Sequence, residues 1–214
     1  MSQFEYVGNE LETFAHATNW KRYLRDLMSP SIAGDVLEVG AGIGATMHAL
    51  RTGAEGSWTC LEPDVAMAGD LRRSLSGESR RTGVVTGTLA DLPSEARFDA
   101  IMYVDVLEHI EDDRAEVARA AARLRPGGAL LVMSPAHQFL YSPFDKRIGH
   151  FRRYNAAQLR ALTPPGVVLE RLIYLDVMGL LLSGANRLAS FPNPRSPVQP
   201  PVSDAGPAAA TCPA

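Results

Sequence analysis

The chain has 214 residues, 46% hydrophobic and 21% charged, with a net charge of −3. This fits one globular domain and gives no overall basic field that would attract nucleic acid. The two cysteines, Cys60 and Cys212, form no disulfide framework and favour a reducing compartment. The first residues lack the apolar segment of a signal peptide, and no apolar run approaches the ~20 residues of a transmembrane helix. We therefore expect a cytoplasmic protein.

Strands and helices alternate along most of the chain. Helical spacing of apolar residues predicts a leading helix within residues 10–27. Short apolar runs predict strands, and the segments between them predict helices. The predicted strands are 35–39, 57–61, 83–86, 99–104 and 129–133, and the predicted helices are 45–51, 64–75 and 112–124. Such alternation indicates βαβ units and an α/β fold with a mostly parallel, twisted sheet.

The C-terminal part of the sequence changes in character. A helix is predicted over 155–162, a sixth strand over 167–175 and a further helix over 178–188. From Phe191 onward the chain is rich in proline and alanine and cannot build a packed core. We therefore predict one domain over residues 1–190, including an N-terminal helical region, and a disordered tail over 191–214.

Glycines occupy alternate positions directly after the first predicted strand. Gly40, Gly42 and Gly44 let the backbone approach a ligand, and Glu38 precedes them inside the strand. A dinucleotide fold has the spacing G-x-G-x-x-G instead. This difference disfavours a nicotinamide-dependent oxidoreductase, which is kept as an alternative.

An acid, Glu62, ends the second predicted strand and is followed by Pro63. Parallel strands bring their carboxyl ends to one edge of the sheet, where ligands of such folds bind. A carboxylate at this edge is suited to accept hydrogen bonds from both hydroxyls of a ribose. The loop that begins at Thr88 and the residues after Val104 fall at the same edge.

These motifs together resemble the class I methyltransferases. The resemblance covers E-x-G-x-G-x-G at 38–44, FD…VLEHI at 98–110 and RPGG at 125–128. It implies a Rossmann-like three-layer sandwich and S-adenosylmethionine as the cofactor. The implied cofactor-binding residues are Trp20, Glu38, Gly40, Ala41, Gly42, Gly44, Glu62, Pro63, Thr88, Leu89, Asp105 and Val106.

The resemblance also assigns roles to these residues. The glycine loop and Glu38 would hold the amino acid part of the cofactor, and Glu62 its ribose. Backbone near Leu89 would contact the adenine, and Asp105 would lie beside the sulfonium. By the same resemblance His109 packs inside as a structural histidine.

The segment after the fifth predicted strand, 134–154, resembles a narrower subgroup through SPAHQ…SPFD…GH-x-RRY. In class I enzymes this loop often shapes the acceptor pocket. His137, Asp145 and His150 are the candidate catalytic bases. Arg152 and Arg153 are candidates to grip an anionic acceptor, with a structural ion-pair network as the equal alternative. No spacing of histidine, cysteine and acid predicts a metal site.

One departure from the family concerns its last strand. Class I methyltransferases end with an antiparallel strand between strands five and six, and the proline-rich tail cannot supply it. The expected function is methyl transfer from S-adenosylmethionine to an unidentified, small-molecule acceptor. The missing strand leaves open a non-catalytic cofactor-binding protein on this scaffold, and the oligomeric state is also open.

Overall fold

The computed structural model describes residues 18–53, 55–77 and 81–175. The chain divides into two compact units, Met1–Tyr174 and Leu175–Ala214, and every element below belongs to the first. The predicted helix at 178–188, the predicted tail at 191–214 and the beginning of the leading helix lie outside the described residues. The domain boundary at residue 190 therefore stays a prediction.

Helices and strands alternate in the order that the sequence predicts. The strands are β1 (Asp35–Val39), β2 (Ser57–Glu62), β3 (Thr82–Thr86), β4 (Phe98–Val104) and β5 (Leu124–Met133). The helices are α1 (Thr18–Met28), α2 (Ala45–Leu50), α3 (Val65–Ser74), α4 (Asp113–Ala121), α5 (Pro143–Arg147) and α6 (Ala156–Leu162). None of these helices is long and apolar enough to cross a membrane.

The five strands form one sheet in the order β3-β2-β1-β4-β5. Every neighbouring pair is parallel, so all five carboxyl ends lie at one edge. The chain reverses its direction of winding at β1, and the loops after β1 and β4 therefore flank the crevice where ligands of such sheets bind. The α/β, mostly parallel fold predicted from the sequence is confirmed.

Both faces of the central strands are buried, which explains their continuous apolar runs. Successive side chains point to opposite faces. Leu37, Leu61 and Ile101 belong to one core cluster. On the alternate positions, Trp58 and Cys60 are buried, and the Cys60 thiol contacts the sulfur of Met47 in α2. Cys60 is thus the buried apolar residue that the sequence indicates.

Two details of the C-terminal half correct the sequence prediction. Strand β5 begins at Leu124 and includes Arg125-Pro126-Gly127-Gly128, whereas the predicted strand begins only at residue 129. The pairing register between β4 and β5 shifts between Phe98 and Ala100. Residues 167–175, predicted as a sixth strand, have no regular secondary structure. Among the described residues no strand follows β5, so its outer edge has no strand neighbour there.

Candidate functional site

The glycine loop after β1 adopts a backbone that requires glycine. Gly40, Gly42 and Gly44 all have positive φ, at 68°, 54° and 84°. A Cβ on Gly40 would stand 2.5 Å from Cγ2 of Val106, and one on Gly44 would stand 2.5 Å from Leu71. The loop therefore packs closely against the segment after β4, and larger residues at these two positions would push its walls apart.

Glu62 lies directly at this glycine loop. Its Oε2 atom accepts a hydrogen bond from the backbone N–H of Gly42 at 2.7 Å, and its Oε1 atom accepts one from Asp64 at 2.9 Å. Each carboxylate oxygen keeps acceptor capacity for a further donor. Burial raises the pKa of Glu62 above its usual range. The glycine loop and the acid of the neighbouring strand thus form one cradle.

Glu38 faces into the fold from β1. Its side chain is buried, and its Oε2 atom accepts a hydrogen bond from the indole N–H of Trp58 at 2.9 Å. Burial raises the pKa of Glu38 to about 8. Trp58, which we did not single out, therefore orients the motif's acid. The contact of Glu38 with the cofactor's amino group stays a prediction.

The loops after β2 and β3 border the cradle. Pro63 follows Glu62 and is half-buried. The hydroxyl of Thr88 donates to Asp91 at 2.9 Å, and this bond helps to hold the pKa of Asp91 below its ordinary value. The Leu89 side chain is 1% exposed, so it belongs to the core and leaves only backbone for an adenine contact.

Asp105 ends β4 in a strained conformation. Its φ is +55°, which is uncommon for a residue other than glycine, and its N–H bonds to the carbonyl of Met133. Its side chain is exposed, yet desolvation by surrounding protein raises its pKa to about 6. A carboxylate that is exposed to solvent and yet partly desolvated by neighbouring protein is typical of a residue on the floor of a cleft. Val106, the next residue, packs against Gly40.

Helix α1 carries the last predicted cofactor contact. Trp20 is half-buried and its ring lies 5.8 Å from that of Tyr23, tilted by 36°. The helix packs on α2, which begins at the glycine loop. The contact of Trp20 with the cofactor stays a prediction.

The long loop after β5 brings two of the predicted bases together. Nδ1 of His150 lies 3.2 Å from Oδ1 of Asp145. The Asp145 carboxylate also accepts hydrogen bonds from the N–H and hydroxyl of Ser142 and from Arg153, and these bonds lower its pKa against the opposing effect of burial. Asp145 is fully buried. We infer that it positions its neighbours rather than meeting an acceptor.

Glu108, in the turn after β4, completes this cluster. Its side chain is 0% exposed, its Oε2 atom accepts from the hydroxyl of Ser134, and its Oε1 atom lies 3.9 Å from Nε2 of His150. Burial raises the pKa of Glu108 to about 8. His109 is half-buried with its ring edge-on to that of His150, and burial lowers its pKa to about 4. The packing of His109 agrees with the structural role expected for it.

The two arginines of this loop form the ion-pair network named as the alternative. Arg152 contacts Asp113 at 2.6 Å and donates to the carbonyl of Glu111. Arg153 contacts Asp145 at 2.7 Å. Both cations therefore already have protein partners that hold the loop against α4 and α5.

His137, the third predicted base, is placed differently. It follows β5 with a φ of +68° and is half-buried. Its ring stacks on that of Tyr174 at 4.8 Å and lies 5.3 Å from that of Phe139. Among the described residues, Asp105 and His137 are the non-glycine positions with positive φ, and they lie in the segments that follow the neighbouring strands β4 and β5.

Comparison with known proteins agrees with this geometry. Residues 37–130 match the family model described as "Methyltransferase domain". The chain is 37% identical over 106 residues to the ubiquinone biosynthesis O-methyltransferase of Xylella fastidiosa, covering 48% of this chain and 42% of that protein. It is 33% identical over 132 residues to a probable S-adenosylmethionine-dependent methyltransferase of Mycolicibacterium smegmatis, covering 60% and 49%. The chain thus spans about half the length of these curated relatives.

A solved structure shares the fold. The YcgJ protein of Bacillus subtilis superposes with a TM-score of 0.57 at 19% sequence identity, over 68% of this chain and 66% of that one. Three positive-φ glycines lie against a buried acid that accepts a hydrogen bond from their loop, an arrangement that suits a nucleoside-bearing cofactor. Residues 37–130 thus match a methyltransferase domain, and the chain is similar to Rossmann-like class I methyltransferases, whose cofactor is S-adenosylmethionine.

Proposed function

We propose that this chain transfers a methyl group to a hydroxyl of a small aromatic acceptor, in the cleft beyond the carboxyl ends of β4 and β5. The observation that carries the proposal is a pair of strained residues: Asp105 directly follows β4, and His137 lies in the loop after β5. A residue in a sparsely populated conformation costs on the order of 1–3 kcal/mol and persists mainly at functional sites. Two such residues in the segments that follow adjacent parallel strands support a functional cleft at this edge of the sheet.

The cradle formed by the glycine loop and Glu62 binds the cofactor. S-adenosylmethionine supplies an electrophilic methyl group on a sulfonium. Gly40, Gly42 and Gly44 leave room for close approach, and Glu62 accepts hydrogen bonds from the ribose. The Asp105 carboxylate, ionised above a pKa of about 6, offers a negative charge on the side where the cation reacts. Alignment and exclusion of water supply most of the acceleration for such a displacement.

A hydroxyl acceptor must also lose its proton, and His137 is the base that we propose. Histidine is the commonest general base in enzymes. Of the three predicted bases, Asp145 is fully buried and His150 has a side chain that is 8% exposed, with one ring nitrogen beside Asp145. His137 is half-buried, and its ring lies against the exposed rings of Phe139 and Tyr174.

The aromatic character of the acceptor is inferred from the surroundings of His137. Phe139 and Tyr174 flank its ring and are 62% and 50% exposed. Exposed aromatic surface of this kind suits a partner with its own ring. The name of the Xylella fastidiosa relative, an O-methyltransferase of ubiquinone biosynthesis, points to the same acceptor class. We propose a phenol or catechol rather than an anionic molecule, because Arg152 and Arg153 are held by aspartates.

The test is a transfer assay with cofactor labelled in the methyl group. A panel of catechols and alkylated phenols is offered beside matched anilines and thiols of the same shape. We expect label on oxygen, and His137→Gln should lower kcat by about 10²–10⁴-fold with an unchanged Kd for S-adenosylmethionine. His48→Gln, a substitution of an exposed histidine in the last turn of α2, is the matched control and should keep full activity. Label on nitrogen alone, or full activity of His137→Gln, would overturn the proposal.

A further inference from the structure

Three side chains that could ligate a metal ion converge where the turn after β4 meets the loop after β5. Glu108, His109 and His150 each present a ligand atom, and these atoms all lie within 4.8 Å of one another. Glu108 and His109 come from the turn after β4, and His150 comes from the loop after β5. Their separation in sequence explains why no local spacing predicted this cluster.

The strongest sign that the cluster binds something is an unsatisfied oxygen. Oε1 of Glu108 is buried and accepts no hydrogen bond within the described part of the chain. Its distance of 3.9 Å from Nε2 of His150 is too long for a hydrogen bond. Leaving a buried carboxylate oxygen without a partner is costly. A cation bound beside this oxygen would satisfy it.

The outer contacts of the three residues are those of metal ligands. Nδ1 of His150 lies 3.2 Å from Oδ1 of Asp145, the carboxylate–histidine arrangement that orients a ligating imidazole. Oε2 of Glu108 is held by Ser134 at 3.0 Å. The ring of His109 packs edge-on against that of His150. The glutamate and one imidazole are therefore each held by a neighbouring side chain.

We propose that Glu108, His109 and His150 bind a Zn²⁺ ion that clasps the turn after β4 to the loop after β5. Two imidazole nitrogens and one carboxylate are a common zinc ligand set, with a water in the fourth position. Ligand atoms held about 2.0–2.2 Å from one ion lie roughly 3–4 Å apart, so the side chains need to close by about an ångström. Mg²⁺ and Ca²⁺ prefer oxygen ligands and suit the site poorly.

This site is separate from the proposed transfer reaction, since none of its ligands is the proposed base. Its consequence is mechanical: the ion would fix the loop that carries His137 and α5 against the end of β4. Loss of the ion should loosen the exposed stretch around Lys146 and Arg147, which trypsin cleaves.

The experiment titrates the chelator-treated full chain with Zn²⁺ against a chromophoric chelator. We expect about one equivalent bound with a Kd below roughly 1 μM, a rise in melting temperature, and slower tryptic cleavage. Co²⁺ in place of Zn²⁺ should give the visible absorption of a four- or five-coordinate site with nitrogen and oxygen ligands. Glu108→Gln and His109→Asn, which preserve shape, should weaken Zn²⁺ binding at least tenfold. Asp145→Asn should weaken it about 10–100-fold.

His48→Gln is the matched control, because it removes an imidazole outside the cluster, and its Zn²⁺ affinity should equal that of the parent chain. Absence of Zn²⁺ binding by the folded parent chain, or equal affinity in Glu108→Gln and His109→Asn, would refute the site. Circular dichroism of each variant verifies its fold, and retained binding of S-adenosylmethionine shows that the cofactor cradle is intact. Methyl transfer without Zn²⁺ binding would refute this inference and leave the proposed function standing.

Discussion

Substitution of Gly40 by alanine tests the close packing of the glycine loop against the segment after β4. The new Cβ would stand 2.5 Å and 2.9 Å from the two methyl carbons of Val106, and the backbone φ of +68° disfavours any side chain. The left-handed conformation costs about 1–2 kcal/mol, and overpacking costs about 1–3 kcal/mol. We therefore expect Gly40→Ala to lower the free energy of unfolding by about 2–5 kcal/mol and to weaken binding of S-adenosylmethionine.

Urea denaturation measures this loss, and two further variants separate its causes. Gly127 has a φ of +80° and open space around it, so Gly127→Ala should show the conformational cost alone, about 1–2 kcal/mol. Adding Val106→Ala to Gly40→Ala removes the obstructing methyl groups and should give a coupling energy of about 1–3 kcal/mol. If Gly40→Ala were no more destabilising than Gly127→Ala, the close approach of Val106 would be refuted.

Three further outcomes are expected. Glu62→Gln places an amide where the glycine loop and the ribose both need an acceptor, so its Kd for S-adenosylmethionine by calorimetry should rise about 10–100-fold; an unchanged Kd would contradict the ribose role. Burial raises the pKa of Glu38 from 4.5 to about 8, so the folded state holds a proton that the unfolded chain has lost, and the free energy of unfolding should fall as pH rises from about 5 to 8. Urea melts of Glu38→Gln should show a shallower decline, and an identical slope would count against the burial of this acid. Arg125 contacts Asp35 at 2.9 Å and Asp99 at 2.6 Å but is 40% exposed, so Arg125→Met should lower the free energy of unfolding only slightly. This loss, measured by urea denaturation, should be smaller in 0.5 M NaCl than at low salt; a loss that salt does not change would argue against ion pairing.

The strand pattern and the cofactor motif were accessible from the sequence because both are local. Strands buried on two faces must be continuously apolar, and β1 matches its predicted bounds, Asp35–Val39. The alternate glycines signalled positive φ, since only glycine adopts that backbone without strain. Glu62 was assigned to the same edge as the glycine loop because parallel strands leave their carboxyl ends together, and its bond to Gly42 agrees with that reasoning.

The tertiary structure decided everything that depends on residues distant in the chain. Residues 167–175 have an apolar pattern that predicts a strand, but pairing needs a neighbour that no local pattern can supply, and they form no regular element. The strain at Asp105 and His137 is imposed by surrounding packing and leaves no mark in residue type. The approach of Glu108 to His150 joins residues 42 positions apart, so only the folded chain brings the carboxylate and the imidazole together. Sequence patterns indicate the local conformation of a segment, because that conformation depends on residues close by in the chain. A site between two loops forms only when the folded sheet brings those loops together.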